Sequence, residues 1–296
     1  MQKPHYPQAG ALLAVIAPSG PVRAEAFDAG LRRLQTHYRL RYRDDLFARR
    51  AFLAGDDARR LEELLGALED PEVEGIVAAR GGYGATRLLD ALPIETIARA
   101  NKLLVGFSDI TALHALWRKA GCVSIHAPGI ESLHRLDEAG FDHWLDALRG
   151  LPLRAFESLA LWARGRFEGP IVGGNLSLLH ALSGTPHRPP LQGSILFLED
   201  VGESPYRIDR MLTNLRQAGW FDEVGAILLG QFTDCERESE GCSVDEVLKE
   251  RLLPLGLPML AGFPAGHEAD NHALPLNCPV QLDAEVGSLR FLGARG

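Results

Sequence analysis

The chain has 296 residues, 46% of them hydrophobic and 24% charged, with a formal net charge of −8. That length suits about two domains of soluble globular composition. The negative balance, with no Lys/Arg cluster, excludes a nucleic-acid or anionic-membrane surface. The opening MQKPHYPQAGALLAVIAPSGP has too short an apolar core for a signal peptide or a membrane span, so a cytoplasmic protein is expected. Four cysteines, Cys122, Cys235, Cys242 and Cys278, never adopt C-x-x-C spacing. No zinc site, cofactor or disulfide framework is therefore expected, and Cys235 and Cys242 read as free thiols.

In chain order, the apolar run at 11–17 predicts a buried strand, followed by a helix start at Ser19 and Pro21. Phe27, Leu31, Leu34 and Tyr38 fall at helical spacing, and Asp56-Asp57 cap a second helix carrying Leu61, Leu64, Leu65 and Leu68. GIVAA (75–79), LLVGF (103–107) and CVSIHAP (122–128) predict three further buried strands. Strands this apolar, alternating with helices, imply a parallel sheet covered on both faces. The texture changes near Leu151. Residues 1–150 read as an N-terminal α/β domain, 151–168 as a linker, and 169–296 as a β-rich C-terminal domain with shorter strands. Its helices are predicted at 176–182, 206–217 and 244–252, with strands at SILFLED and AILLGQF and a closing hairpin. The expected class is α/β, a parallel-sheet domain followed by a mixed β/α domain.

Ligands of such sheets bind beyond the carboxyl ends of the strands. Two loops lie there, ARGGYGATR and FSD. LLVGFSDITA reads as strand, tight turn and helix N-terminus, a setting that exposes the Ser108 hydroxyl beside amides favouring negative charge. The same residues could serve as an ordinary N-cap. The second glycine of G-x-S-x-G is absent, since Ile110 stands there. GGYG (81–84) matches neither a phosphate loop nor G-x-G-x-x-G. Amides at Gly81 or Gly82 could instead pair with that of Asp109 as an oxyanion hole. Arg80 beside Gly81 is a candidate for a substrate carboxylate, which guanidinium binds in bidentate fashion. Among histidines, His267 in GFPAGH lies in a Gly/Pro-rich loop, and His126 at an apolar strand end is its rival as a base. Glu199, Asp200 and Glu203 are the carboxylates placed to orient a histidine. Asn175, Tyr206 and Asp209 read as structural.

IAPSGP, ARGGYG, VGFSDITAL, HAPG, GGNLSLL, FLEDVGESPYRIDRML, ILLGQF and GFPAGH together, in this order, resemble the LD-carboxypeptidase family. That family takes in murein tetrapeptide carboxypeptidases and microcin-immunity serine peptidases. The resemblance implies a Ser–Glu–His triad at Ser108, Glu199 and His267, with the nucleophile on the α/β domain and the other two on the second domain. It also implies a site between domains within a homodimer, no metal and a murein peptide substrate. The implied reaction releases terminal D-Ala in cell-wall recycling. Cleavage of a peptidyl-nucleotide conjugate is the alternative.

Overall fold

The computed structural model describes residues 3–237 and 241–293. The chain forms two compact units. Of the described residues, one gathers those up to Pro152 together with Ala269–Asn277, and the other those of 153–268 together with 278–293.

In the first unit the order is β1 (Leu12–Ile16), α1 (Ala24–Leu34), β2 (Arg39–Arg41), α2 (Asp57–Glu69), β3 (Val73–Ala78), α3 (Ile94–Ala100), β4 (Leu103–Gly106), α4 (Thr111–Lys119), β5 (Ser124–His126), α5 (Ile130–Leu133) and α6 (Glu138–Arg149). The strands align in parallel in the order β5-β4-β3-β1-β2, and a later strand, Leu274–Leu276 (β11), adds antiparallel to β5. Leu13, Ile76, Val77 and Leu104 are fully buried, because helices cover both faces of the sheet. Strand order reverses between β1 and β3, and the crevice at such a switch point is where open α/β sheets bind ligands. The loops after β1, β3 and β4 crowd that end of the sheet.

Sequence periodicity misplaces some boundaries here. Helix α1 begins at Ala24 rather than near Ser19, because Ser19 is engaged elsewhere, and it stops before Tyr38. Tyr38 is buried beside β2, an exposed edge strand of three residues too short for a hydrophobic signature. Asp56 caps α2 as expected, accepting from the Arg59 amide at 2.9 Å.

The second unit holds β6 (Ala160–Ala163), β7 (Arg166–Asn175), α7 (Leu176–Leu182), β8 (Ser194–Val201), α8 (Pro205–Gln217), β9 (Val224–Thr233), α9 (Val244–Leu252), β10 (Met259–Ala261), β12 (Pro279–Asp283) and β13 (Ser288–Phe291). Strands β7 to β10 run parallel, flanked by antiparallel β12, β13 and β6, in the order β13-β12-β7-β8-β9-β10-β6. Two expectations are corrected. Within 151–168, read as linker, Ala160–Ala163 is an edge strand and Arg166 opens β7. The strands are also long, with ten residues in β7 and in β9. Glycines along both strands, with Arg166 and Glu168 at the exposed start of β7, break the apolar pattern without ending the strands. Helices α7, α8 and α9 bury Leu179, Leu212, Leu215 and Leu248 with Leu196 and Leu198 of β8 in one core. Among the described residues no helix is long and apolar enough to cross a membrane. Cys122, Cys235 and Cys242 are free thiols, and burial raises those of Cys122 and Cys235 to about 11.

Candidate active site

Ser108 follows β4 at the carboxyl edge of the first sheet. Its φ is +62°, a left-handed conformation costing a non-glycine residue about 1–2 kcal/mol. Phe107 and Ser108 lead into a short 3-10 turn, Ser108–Ile110, and then α4. Neither the turn nor α4 has a side-chain cap. Ser108 is therefore not an N-cap. A strained serine on a strand–turn–helix corner is the arrangement that presents a nucleophilic hydroxyl above a sheet.

The glycine loop after β3 lies against this corner. A Cβ placed on Gly81 would meet Ser108 Cβ at 2.9 Å and Oγ at 3.3 Å, so the backbone of Gly81 comes as close to the Ser108 side chain as a chain can. The Gly81 carbonyl accepts from the Gly20 amide at 3.1 Å, which joins the β1 loop to the β3 loop. Arg80 donates through Nη1 to the Pro21 carbonyl at 3.0 Å. Its Nε lies 3.9 Å from Glu131, a carboxylate buried to 2% exposure that also binds Arg23. Glu131 was not singled out from sequence. It lies on four-residue α5, and its role depends on contacts with residues more than 50 positions away.

His126 is wholly buried in β5, its ring 6.2 Å from that of Phe107 and 6.4 Å from that of His114. It is a core histidine. His114, on α4, hydrogen-bonds through Nε2 to the Gly106 carbonyl at 2.9 Å. Burial lowers its pKa from 6.5 to about 4. The unfolded chain therefore takes up this proton near pH 6.5 and the folded chain only near pH 4. The stability contribution is intact above pH 6.5 and falls as pH drops toward 4, by about 3 kcal/mol across that window. In His114→Gln, which keeps a donor for Gly106, the loss of unfolding free energy between pH 7 and pH 4 is expected to shrink by about that amount. Urea unfolding at the two pH values checks this, and equal losses in both proteins would contradict it.

In the second unit Glu199 and Asp200 are consecutive residues near the end of β8, so they face opposite sides of the sheet. This alternation separates their roles. The Asp200 carboxylate accepts from Asn175 Nδ2 at 3.0 Å, the Ser177 amide at 2.9 Å and the Val201 amide at 2.8 Å. Burial, with a smaller contribution from the Glu199 charge, raises its pKa to about 7 despite these donors. Asn175 caps α7, accepting from the Leu178 amide at 3.3 Å. Glu203 pairs with Arg207 at 3.5 Å. Glu199, fully buried, accepts from His267 Nδ1 at 2.9 Å. A carboxylate there selects the Nδ1–H tautomer and leaves the basic lone pair on Nε2. Tyr206 is exposed. Asp209 pairs with Arg251 at 2.5 Å rather than with its neighbour Arg210.

The loop bearing His267 follows β10 and runs alongside β9. The Phe263 amide donates to Leu229 O at 3.0 Å and the Gln231 amide to Ala265 O at 3.0 Å. Gln231 Oε1 accepts from the Glu268 amide at 3.2 Å, so Gln231 grips the backbone on both sides of His267. Sequence reasoning missed Gln231, since its side chain has meaning only beside a loop some 35 residues on. Gly230 allows the close approach, because a Cβ there would lie 2.4 Å from the Ala265 carbonyl and 2.8 Å from the Phe197 ring. Gly230→Ala is expected to displace the His267 loop and lower turnover about 10²-fold. A wild-type rate from this variant in steady-state kinetics would show that the loop shifts without consequence. Among the described residues no cluster of His, Cys, Asp or Glu is arranged to hold a metal ion.

The profile of the LD-carboxypeptidase N-terminal domain matches residues 13–127, and that of the LD-carboxypeptidase C-terminal domain matches 168–282. A putative carboxypeptidase of Streptomyces coelicolor is 41% identical, over 95% of this chain and 93% of its own length. The murein tetrapeptide carboxypeptidase of Pseudomonas aeruginosa is 34% identical over 92% of each chain. A crystal structure of the muramoyltetrapeptide carboxypeptidase of Oxalobacter formigenes superimposes with a TM-score of 0.85 at 30% identity, covering 94% of this chain and 97% of that one. With both domain profiles matched in sequence order and full-length relatives in sequence and structure, this chain belongs to the LD-carboxypeptidase family of serine peptidases.

Proposed function

We propose that this carboxypeptidase removes the terminal D-Ala from the murein tetrapeptide L-Ala-γ-D-Glu-meso-diaminopimelate-D-Ala, with Ser108 as nucleophile, His267 as base and Glu199 as the group that orients it. The observation carrying this reading is the 2.9 Å hydrogen bond between His267 Nδ1 and the buried Glu199, in a chain whose strained Ser108 has no capping role.

His267 Nε2 takes the Ser108 proton as Oγ attacks the carbonyl carbon of the scissile L,D-peptide bond. Glu199 stabilises the imidazolium that forms. The amides of Gly82 (or Gly81) and Asp109 receive the oxyanion, and one such donor contributes about 10²–10³ in turnover. The protonated histidine passes its proton to the leaving amine of D-Ala. A water, deprotonated by the same histidine, then hydrolyses the acyl-enzyme and regenerates Ser108. Arg80, a third exposed on the side chain and held in place by Pro21 and Glu131, meets the free carboxylate of the substrate beside Gly81. The setting we assign is cytoplasmic cell-wall recycling by a homodimer.

Mass spectrometry of the purified protein with the tetrapeptide tests this reading, and release of one D-Ala per peptide is the expected result. Absence of release, with cleavage of a peptidyl-adenylate conjugate in its place, would move the substrate to the second class and leave the triad standing.

A further inference from the structure

Two fully buried charges of opposite sign hold a single peptide group beside Ser108. The Gly84–Ala85 peptide presents its carbonyl to Arg60 Nη1 at 2.8 Å and its N–H to Asp109 Oδ2 at 2.8 Å. The same two side chains hold the loop after β1. Arg60 Nη1 donates to the Pro18 carbonyl, and Ser19 Oγ donates to Asp109 Oδ2 at 2.6 Å. Arg60 is 0% and Asp109 1% exposed. Arg60 arrives from α2, whereas Asp109 is the residue that follows Ser108.

Stability alone does not account for this pair. Burying two charges is costly, and well-packed apolar residues of similar volume often hold a fold as well or better. Charged groups differ from apolar ones in demanding donors and acceptors at particular positions. The loop they grip needs such external direction. Three of its four residues, Gly81 to Gly84, are glycine, with φ of +113° at Gly82 and +131° at Gly84, so no side-chain sterics choose its course. Arg80, just before it, is tied to Pro21 at 3.0 Å, and its first residue is tied through Gly81 O to Gly20 N at 3.1 Å. Its end is tied by the two charges.

We infer that Arg60 and Asp109 are positioning residues for acyl transfer, fixing the plane of the Gly84–Ala85 peptide and through it the course of the glycine loop over Ser108. This rests on the reading of Ser108 as nucleophile. Removing the Asp109 carboxylate frees both the Ala85 amide and the Ser19 hydroxyl, and the loop then samples several courses. Amides that must already face the developing oxyanion lose their direction, so the loss falls on the transition state more than on the bound substrate.

The test compares wild type, Asp109→Ala, Asp109→Asn and Ser19→Ala for kcat and KM on the tetrapeptide and for the rate of fluorophosphonate labelling at Ser108. Asp109→Ala is expected to lower kcat and labelling about 10²-fold with KM changed less than about threefold. Asp109→Asn, whose amide oxygen can accept both bonds, should recover about tenfold of that loss. Ser19→Ala, which removes one bond and leaves the charge in place, should lose roughly three- to tenfold in kcat. A folded Asp109→Ala with wild-type kcat overturns the inference, as does an asparagine variant no better than alanine. If Asp109→Ala fails to fold, an unchanged kcat in both Ser19→Ala and Asp109→Asn overturns it. Wild-type protein that neither releases D-Ala nor labels at Ser108 overturns the nucleophile reading itself, a result distinguishable from the others.

Discussion

Replacing Ser108 with alanine is expected to lower kcat for D-Ala release by about 10⁶-fold while KM and the thermal midpoint stay close to those of the parent protein. The hydroxyl is the only group lost. Alanine keeps the Cβ against which Gly81 packs, and it bears the same left-handed conformation at φ +62°. Neither the corner nor the glycine loop has reason to move. The asymmetry between a very large kinetic effect and a small thermodynamic one is what separates a nucleophile from a turn residue. Steady-state kinetics with thermal unfolding on the same preparation measure both. Retention of more than about 1% of turnover would falsify the assignment, since a serine nucleophile leaves no comparable group behind.

Glu199→Gln is expected to lower kcat by about 10³–10⁴ with a stability change within about 2 kcal/mol. Glutamine has the same shape in a fully buried position, and its oxygen can still face His267 Nδ1 at 2.9 Å. It lacks the negative charge that stabilises an imidazolium in a low-dielectric setting, and its amide can instead donate to Nδ1 and select the wrong tautomer. Asp200 offers no substitute. It faces the other side of the sheet, where Asn175, Ser177 and Val201 take up its oxygens. The comparison that decides is Glu199→Gln against Asp200→Asn on the tetrapeptide. A loss in the second as large as in the first would mean that the two carboxylates act as a unit, and that the opposite faces of β8 do not separate them.

The segments whose structure is set by near neighbours in sequence were legible before any coordinates. The apolar runs that became β1, β3 and β4 are buried on both faces and so read as continuous hydrophobic stretches. The helices of the second unit announced themselves by period, and α9 spans Val244–Leu252 as expected. Weakly patterned elements were not legible. Strand β2 is three residues with exposed ends, and β6 is an edge strand with half its residues exposed, so burial leaves almost no mark on either sequence. The choice among Glu199, Asp200 and Glu203 was also out of reach, because alternation along a strand says that two neighbours face opposite ways but not which face holds the histidine.

The candidate site divides along the same line. Strand, glycine, serine and helix at 103–116 determined by themselves that Ser108 sits on a corner at a sheet edge, since strand burial and turn geometry act within about ten residues. Tertiary structure alone decided the contacts that give the corner its chemistry. Glu199 and His267 are 68 positions apart, Ser19 and Asp109 are 90 apart, and Arg60 meets Gly84 from a different helix. Each of these bonds depends on where two distant backbones come to rest, and directional polar contacts of that kind leave no periodic signature in the chain. A sequence encodes burial residue by residue, but it encodes partnership only through the fold that burial produces.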